Sequence, residues 1–130
     1  MNLTSRSLIA LCGLAPFALL GLAGAGQSQP SSGARKPHVP YAKVSSLIEK
    51  KCESCHNAQS HPEAIDLSSY KALMKSGEHG PIVIAGHPET SKLIKYVDGT
   101  KQPRMPYHQT PLSSSEIKKL REWISAGAEG

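Results

Sequence analysis

Cys52-Glu53-Ser54-Cys55-His56 decides how this sequence is to be read. Two cysteines separated by two residues, with a histidine directly after the second, form the C-x-x-C-H signature of covalent haem attachment. The thiols can add to the two haem vinyl groups to give two thioethers, and the adjoining imidazole then reaches the iron from one side. The spacing is a geometric demand. One turn at the end of a helix lines both sulfurs along one haem edge and turns the imidazole under the ring. Three other chemistries use similar residues. A thioredoxin-type Cys52–Cys55 disulfide wants a βαβ setting, which the flanking pattern lacks. A zinc site needs four ligands and would have to recruit His61 and His79, since there is no second cysteine pair. A plain structural disulfide leaves His56 without a role.

The pattern on both sides of the motif is helical. Val44, Leu47, Ile48 and Cys52 recur at i, i+3, i+4 and i+8, which predicts one amphipathic helix over 41–52 that delivers the first thiol. A shorter helix is expected over 67–75, capped by Ser68 or Ser69, with Tyr70, Leu73 and Met74 on its apolar side and Gly77 as its stop. The run from Gly80 to Gly86 reads as an extended segment packed on the core, because no partner strand is evident. A third helix is expected over 88–97, with Leu93, Ile94 and Val97 inward, followed by a proline-rich loop over 99–111. The last helix is the best specified. Ser113 and Glu116 have capping-box spacing, Leu112 can staple onto Ile117, and Ile117, Leu120, Trp123 and Ile124 form a buried stripe ending before Gly127. The fold class is therefore all-α: short helices and loops wrapped around a cofactor.

Composition supports a guest in the core. The 130 residues carry one Trp, one Phe and four Tyr, and the Phe lies in the first 25 residues, so the remainder is short of bulky apolar material. Haem is the filler that joins this deficit to the motif. The length and cysteine count exclude a multidomain enzyme, a polytopic membrane protein and a disulfide-rich scaffold.

Residues 1–25 read as a secretory signal peptide. Arg6 supplies a positive start, Leu8 to Leu22 an apolar stretch, and Ala23-Gly24-Ala25 a cleavage site after Ala25. The apolar stretch is shorter than the roughly 20 residues a membrane-spanning helix needs, which disfavours the rival reading of a retained anchor. Cys12 follows Leu11 where a lipoprotein site wants a small residue, so it is read as a passenger of the removed segment. Residues 26–40, rich in Gln, Ser, Pro and Gly, read as a flexible linker, and 41–130 as the folded domain. Export implies a periplasmic location, an oxidising compartment where two free thiols do not persist and where haem of this kind is attached.

A haem with His56 on one side needs a second ligand or an open position. Met105, in Arg104-Met105-Pro106, is the candidate distal ligand. Its thioether sulfur favours ferrous iron. Pro103, Pro106 and Pro111 stiffen its loop, so that closing over the ring costs little entropy. Met74 is the rival sulfur but falls on a helix face and is expected in the core. His61, His79, His87 and His108 are the nitrogen alternatives, with His108 ahead of the others by position. A pocket of low polarity is expected from Val44, Leu93, Ile94, Leu120 and Trp123, and Arg104 is placed to pair with a haem propionate.

The stretches Cys52–His56, Ile65-Asp66-Leu67 with Tyr70–Lys75, Lys75–Pro81, Ile84–Ile94, Arg104-Met105-Pro106, and Pro111-Leu112-Ser113 leading into Ile117–Ala128 with Trp123 together resemble the planctomycete-type cytochrome c domain, a class I-like monohaem c-type cytochrome. The resemblance spans about Val44 to Ala128. It implies a small cytochrome c fold, one haem c held covalently through Cys52 and Cys55, His56/Met105 ligation, electron transfer, and a crossing of the first and last helices near the haem edge.

The expected function is that of an exported, monomeric one-electron carrier. The alternative is a haem-based binder or sensor of small gases with a labile sixth ligand. No residues are assigned to catalysis: there is no paired-carboxylate motif, no G-x-S-x-G and no second C-x-x-C-H, so the chain is not read as an enzyme. The 15 Lys+Arg against 10 Asp+Glu give a net charge of +5. Redox proteins are the expected partners; the lysines read first as ordinary solvated helix faces and second as a patch that steers acidic partners, with Lys50 and Lys51, around the attachment helix, the best placed for docking. Nucleic acid is not expected, since no basic run or aromatic platform accompanies the charge.

Overall fold

The computed structural model describes residues 37–130. The expected signal peptide, Cys12 and most of the expected linker lie outside the described residues. Among those described there are helices and turns but no strand, as an all-α reading requires.

The chain enters through a 3₁₀ turn at Tyr41–Lys43, which follows Pro40, and continues into helix α1, Ser45–Ile48. A π-helical turn, Glu49–Glu53, carries it on to the cysteine motif. The single helix expected over 41–52 is thus three kinds of turn in succession. The apolar spacing reads the inward face correctly, since Val44 and Ile48 are buried and Leu47 and Cys52 pack against the core. It cannot read the hydrogen-bond ladder, which widens just before the motif, where π turns are commonly found at functional sites.

Helix α2, Tyr70–Lys75, starts later than the spacing predicts because the residues before it are used elsewhere. Leu67 N–H donates to the His56 carbonyl at 2.9 Å, and Asp66 takes both the backbone N–H and the hydroxyl of Ser68. Ser69 is the cap, accepting from Ala72 N–H at 3.1 Å. The buried Ser76 hydroxyl then ties the helix end back, donating to the carbonyls of Asp66 and Ala72 and accepting from Asp66 N–H. Gly77 follows at φ 114°, and a Cβ there would lie 2.3 Å from the Gly80 carbonyl oxygen, so only glycine fits.

The 80–86 segment, expected to be extended, is instead a run of bends ending in a turn that His87 N–H closes on the Ile84 carbonyl; it packs on the core as expected, with Ile82 and Val83 buried. Its ends are pinned by Leu93 N–H to the Ile82 carbonyl, 2.9 Å, and Gly86 N–H to the Ile124 carbonyl, 2.7 Å. Helix α3 is Lys92–Val97, shorter than the expected 88–97. Residues 88–91 are spent on turns, since the buried Ser91 is extended and its hydroxyl binds back to the His87 carbonyl while accepting from Ile84 N–H. Leu93, Ile94 and Val97 are buried as expected.

Helix α4, Ser114–Ser125, has the expected capping box: Ser113 accepts from Glu116 N–H, and the Glu116 carboxylate accepts from Ser113 N–H at 2.7 Å. Leu120, Trp123 and Ile124 are buried, whereas Ile117 is only half-buried at the edge of the stripe. Trp123 closes the core against Tyr41, with ring centroids 5.7 Å apart. Its indole N–H donates to the Glu129 carbonyl at 2.9 Å, and the same carbonyl accepts from Tyr41 N–H. The last helix is thereby fastened to the turn that opens the domain. Arg121 adds an ionic tie to Glu89 and, at 2.8 Å, to Asp98 at the end of α3.

Candidate functional site

On the other side of α3 the domain encloses a cavity of about 660 Å³. Small-molecule and cofactor sites run from roughly 300 to 1,000 Å³. The π-helical turn, the 55–67 segment, the face of α3 and the 101–109 loop supply its walls. Cys52, Cys55, His56 and Met105, four residues far apart in sequence as two groups, all line this one space.

Cys52 sits half-buried at the end of the π turn, and Cys55 is exposed one turn on, with its backbone N–H bonded to the Cys52 carbonyl at 3.1 Å. Both are free thiols. Burial pushes the Cys52 thiol up to about 11, helped by the neighbouring Cys55 and opposed by the Lys51 ammonium. A thiol held in this way stays protonated at neutral pH.

His56 is oriented by the backbone. Its Nδ1 lies 3.2 Å from the Ile65 carbonyl oxygen. A carbonyl only accepts, so Nδ1 is the donor, which leaves Nε2 as the nitrogen available to a metal. Metal-ligating histidines are held by this kind of second hydrogen bond, which fixes tautomer and ring angle. Ile65 itself is placed by the turn at Pro62–Ala64 and the Leu67–His56 backbone bond. Sequence reading had no means of finding this partner, because a backbone acceptor leaves no side-chain signature.

Met105 is half-buried, packs against the core and lines the cavity. Its N–H donates to the Tyr96 carbonyl at 3.0 Å, which ties the proline-rich loop to α3. Pro103 and Pro106 on either side also line the space. Among the rivals, Met74 packs against the core and does not line it. His61, His87 and His108 are exposed and off the lining; the His108 ring lies tilted against its neighbour Tyr107, with ring centroids 3.9 Å apart. His79 is the one further histidine on the cavity wall.

Two expectations need correction. Of the five residues expected to form the apolar pocket, only Leu93 lines the cavity. Val44, Ile94, Leu120 and Trp123 are buried on the opposite side, where the helices pack on one another. Apolar periodicity marks burial without saying against what, and the lining is made instead by Leu67, Ile82, Leu93, Tyr96 and Val97. Arg104 does not point into the cavity either. Its Nε donates to the Val97 carbonyl at 3.3 Å and its stem packs on Gly99, so it caps α3. The lysines on the lining are Lys51, Lys92 and Lys101; Lys50 is exposed and off it.

Residues 52–107 match the family described as Planctomycete cytochrome C. Over these residues the chain is similar to a planctomycete-type cytochrome c domain. The match begins on the first cysteine of the motif and ends two residues past Met105. Comparison with curated proteins and with solved structures gives no significant match.

A cytochrome c domain implies haem c, and the residues fit that group. The cavity is of cofactor size, two thiols stand one turn apart on its wall, and an imidazole with an oriented Nε2 adjoins them. A thioether lines the same space. The zinc alternative does not assemble. Among the described residues, the group with ligand atoms close enough for a metal ion is Glu63, Glu78 and His79, without either cysteine or His61.

Proposed function

We propose that this cytochrome c domain is an exported, periplasmic one-electron carrier, with one haem attached through Cys52 and Cys55 and its iron held between His56 and Met105. The observation that carries the reading is the His56–Ile65 hydrogen bond on a cavity wall shared with both thiols and Met105. Haem, when bound, supplies a couple that gains or loses one electron at iron. The chain's residues do the rest. The Ile65 carbonyl holds the His56 ring at a fixed angle and raises its basicity. Leu67, Ile82, Leu93 and Val97 exclude water from the space, which favours the less charged ferrous state. Met105, tied through its backbone to α3, presents a soft sulfur suited to the same state.

Lys51, Lys92 and Lys101 line the cavity together with Glu63 and Glu78, a small positive excess that suits acidic redox partners. If raising ionic strength leaves electron exchange with an acidic partner unchanged, that partner class is wrong.

The functional test is an optical spectrum of the exported protein, oxidised and reduced. A c-type reduced spectrum together with the weak near-infrared band of ferric iron bonded to methionine sulfur is expected, and Met105→Ala removes the band. Attached haem lacking the band, with ready carbon monoxide binding, would replace the carrier by a gas binder or sensor.

A further inference from the structure

This inference rests on the haem reading above and concerns how the far edge of that haem is held. A haem bears its two carboxylates on the edge away from its vinyl groups. Carboxylates brought against an apolar lining are unfavourable unless cations meet them. The thiols of Cys52 and Cys55 assign the vinyl edge to the π-helical turn. Lys51 adjoins Cys52 in that turn, and its charge reaches the Cys52 thiol. Lys51 therefore belongs to the vinyl edge.

Helix α3 comes to the cavity from another part of the chain. Its cavity face is an apolar strip of Leu93, Tyr96 and Val97, with Lys92 ahead of the strip and Lys101 beyond it, all on the lining. Both lysines are held in place. Lys92 Nζ donates to the His79 carbonyl at 2.6 Å, and the Lys101 ammonium lies 5.3 Å from the centre of the Tyr96 ring. Neither makes an ion pair among the described residues. An ammonium has three donors, so Lys92 keeps two free. Asp98, the acid between them in sequence, is already taken by Thr100 and Arg121.

We propose that Lys92 and Lys101 are the groups that receive the two haem carboxylates, so that α3 holds the ring by its apolar strip and the carboxylate edge by the lysines flanking it. Glu63, Glu78 and His79 line the cavity beside the Lys92 end, and Tyr96 is the titratable neighbour at the Lys101 end. Lys101 is thus the less contested of the two.

The test is the reduction potential of haem-loaded protein as a function of pH, each sample first checked by intact mass for one covalent haem. A carboxylate that loses its paired ammonium ionises at higher pH. The inflection in potential should therefore move to higher pH in Lys101→Met and in Lys92→Met, and Lys101→Arg should restore it. Lys50→Met removes the same charge away from the cavity and should leave the inflection where it is. His79→Gln should keep the inflection, since the carboxylates and not the imidazole produce it. Profiles of Lys92→Met and Lys101→Met that coincide with that of Lys50→Met overturn the proposal. So does a profile that is flat in every variant, or an inflection that vanishes with His79. Wild-type protein without covalent haem overturns the haem reading itself, a result distinguishable from all of these.

Discussion

The two sides of α3 are built on different principles. Toward α4 the domain is closed by its own side chains: Ile94, Ile124 and Trp123 are fully buried, Tyr41 stacks near the indole, and the Glu129 carbonyl binds both the opening turn and the indole N–H. Toward the 52–67 and 101–109 segments, Leu93, Tyr96 and Val97 face a cavity whose other walls carry thiols, an imidazole, a thioether and lysines. One side is a core, specified by shape. The other is a set of candidate ligands, two of them, His56 and Met105, held by hydrogen bonds to backbone carbonyls. The difference predicts that stability and the proposed redox character are separable in this molecule, and substitutions on either side of α3 can break that claim.

The largest effect is expected on the packed side. Trp123→Ala removes the biggest fully buried side chain and the indole bond to Glu129, and should cost about 3–5 kcal/mol in denaturant unfolding of the haem-loaded protein. The near-infrared band of the fraction still folded should be unaltered. A cost under about 1 kcal/mol, well below the range for such truncations, would mean the packed side is not the structural core.

Met105→Leu is the converse. A volume-conserving exchange should cost less than about 1.5 kcal/mol, yet remove the sulfur band and lower the reduction potential. Retention of the band would show that Met105 is core filling and would erase the distinction between the sides.

A third change probes whether the packed side depends on its local signals. Ser113→Ala removes the cap of α4 and should cost about 1 kcal/mol without shifting the potential. Equal potentials with a clear drop in unfolding midpoint are the expected pair of readings.

The smallest effect is on acid stability. Burial raises the Asp98 carboxyl, but the Thr100 backbone and hydroxyl and the Arg121 guanidinium outweigh it and leave the group below its ordinary value. A carboxyl lowered in the folded state contributes stability fully above its unfolded value, and that contribution is lost as pH falls through the folded value. Asp98→Asn should therefore be less stable than wild type at neutral pH, with the gap closing as the solution is acidified below the usual carboxylate range. A gap that stays constant with pH would assign the effect to packing.

Much of the packed side was legible in the sequence, because amphipathic spacing and capping chemistry are written in side chains. Ser113 and Glu116 gave the start of α4, and Leu93, Ile94 and Val97 gave the inner face of α3. The members of the candidate site were legible as a set, since the motif and Met105 do line one space. Its walls were not. Whether Ile94 or Leu93 faces the cavity depends on how α3 is sandwiched between α4 and the loops, a tertiary fact that periodicity does not carry. The Ile65 carbonyl behind His56 and the Val97 carbonyl that takes Arg104 are backbone acceptors, invisible at the level of residue type. The π turn at Glu49–Glu53 escaped for a related reason, since apolar spacing records a face and not the ladder beneath it.

The central claim is that Cys52 and Cys55 carry a haem that the cavity is built to hold. Intact mass of the exported protein, expressed with a working haem-attachment system, tests it most directly, beside the Cys52→Ala/Cys55→Ala double variant. The account predicts a mass increase of one haem on the wild-type chain that survives denaturation and is absent from the variant. A wild-type chain at its bare polypeptide mass, or a haem that denaturation releases, would contradict it.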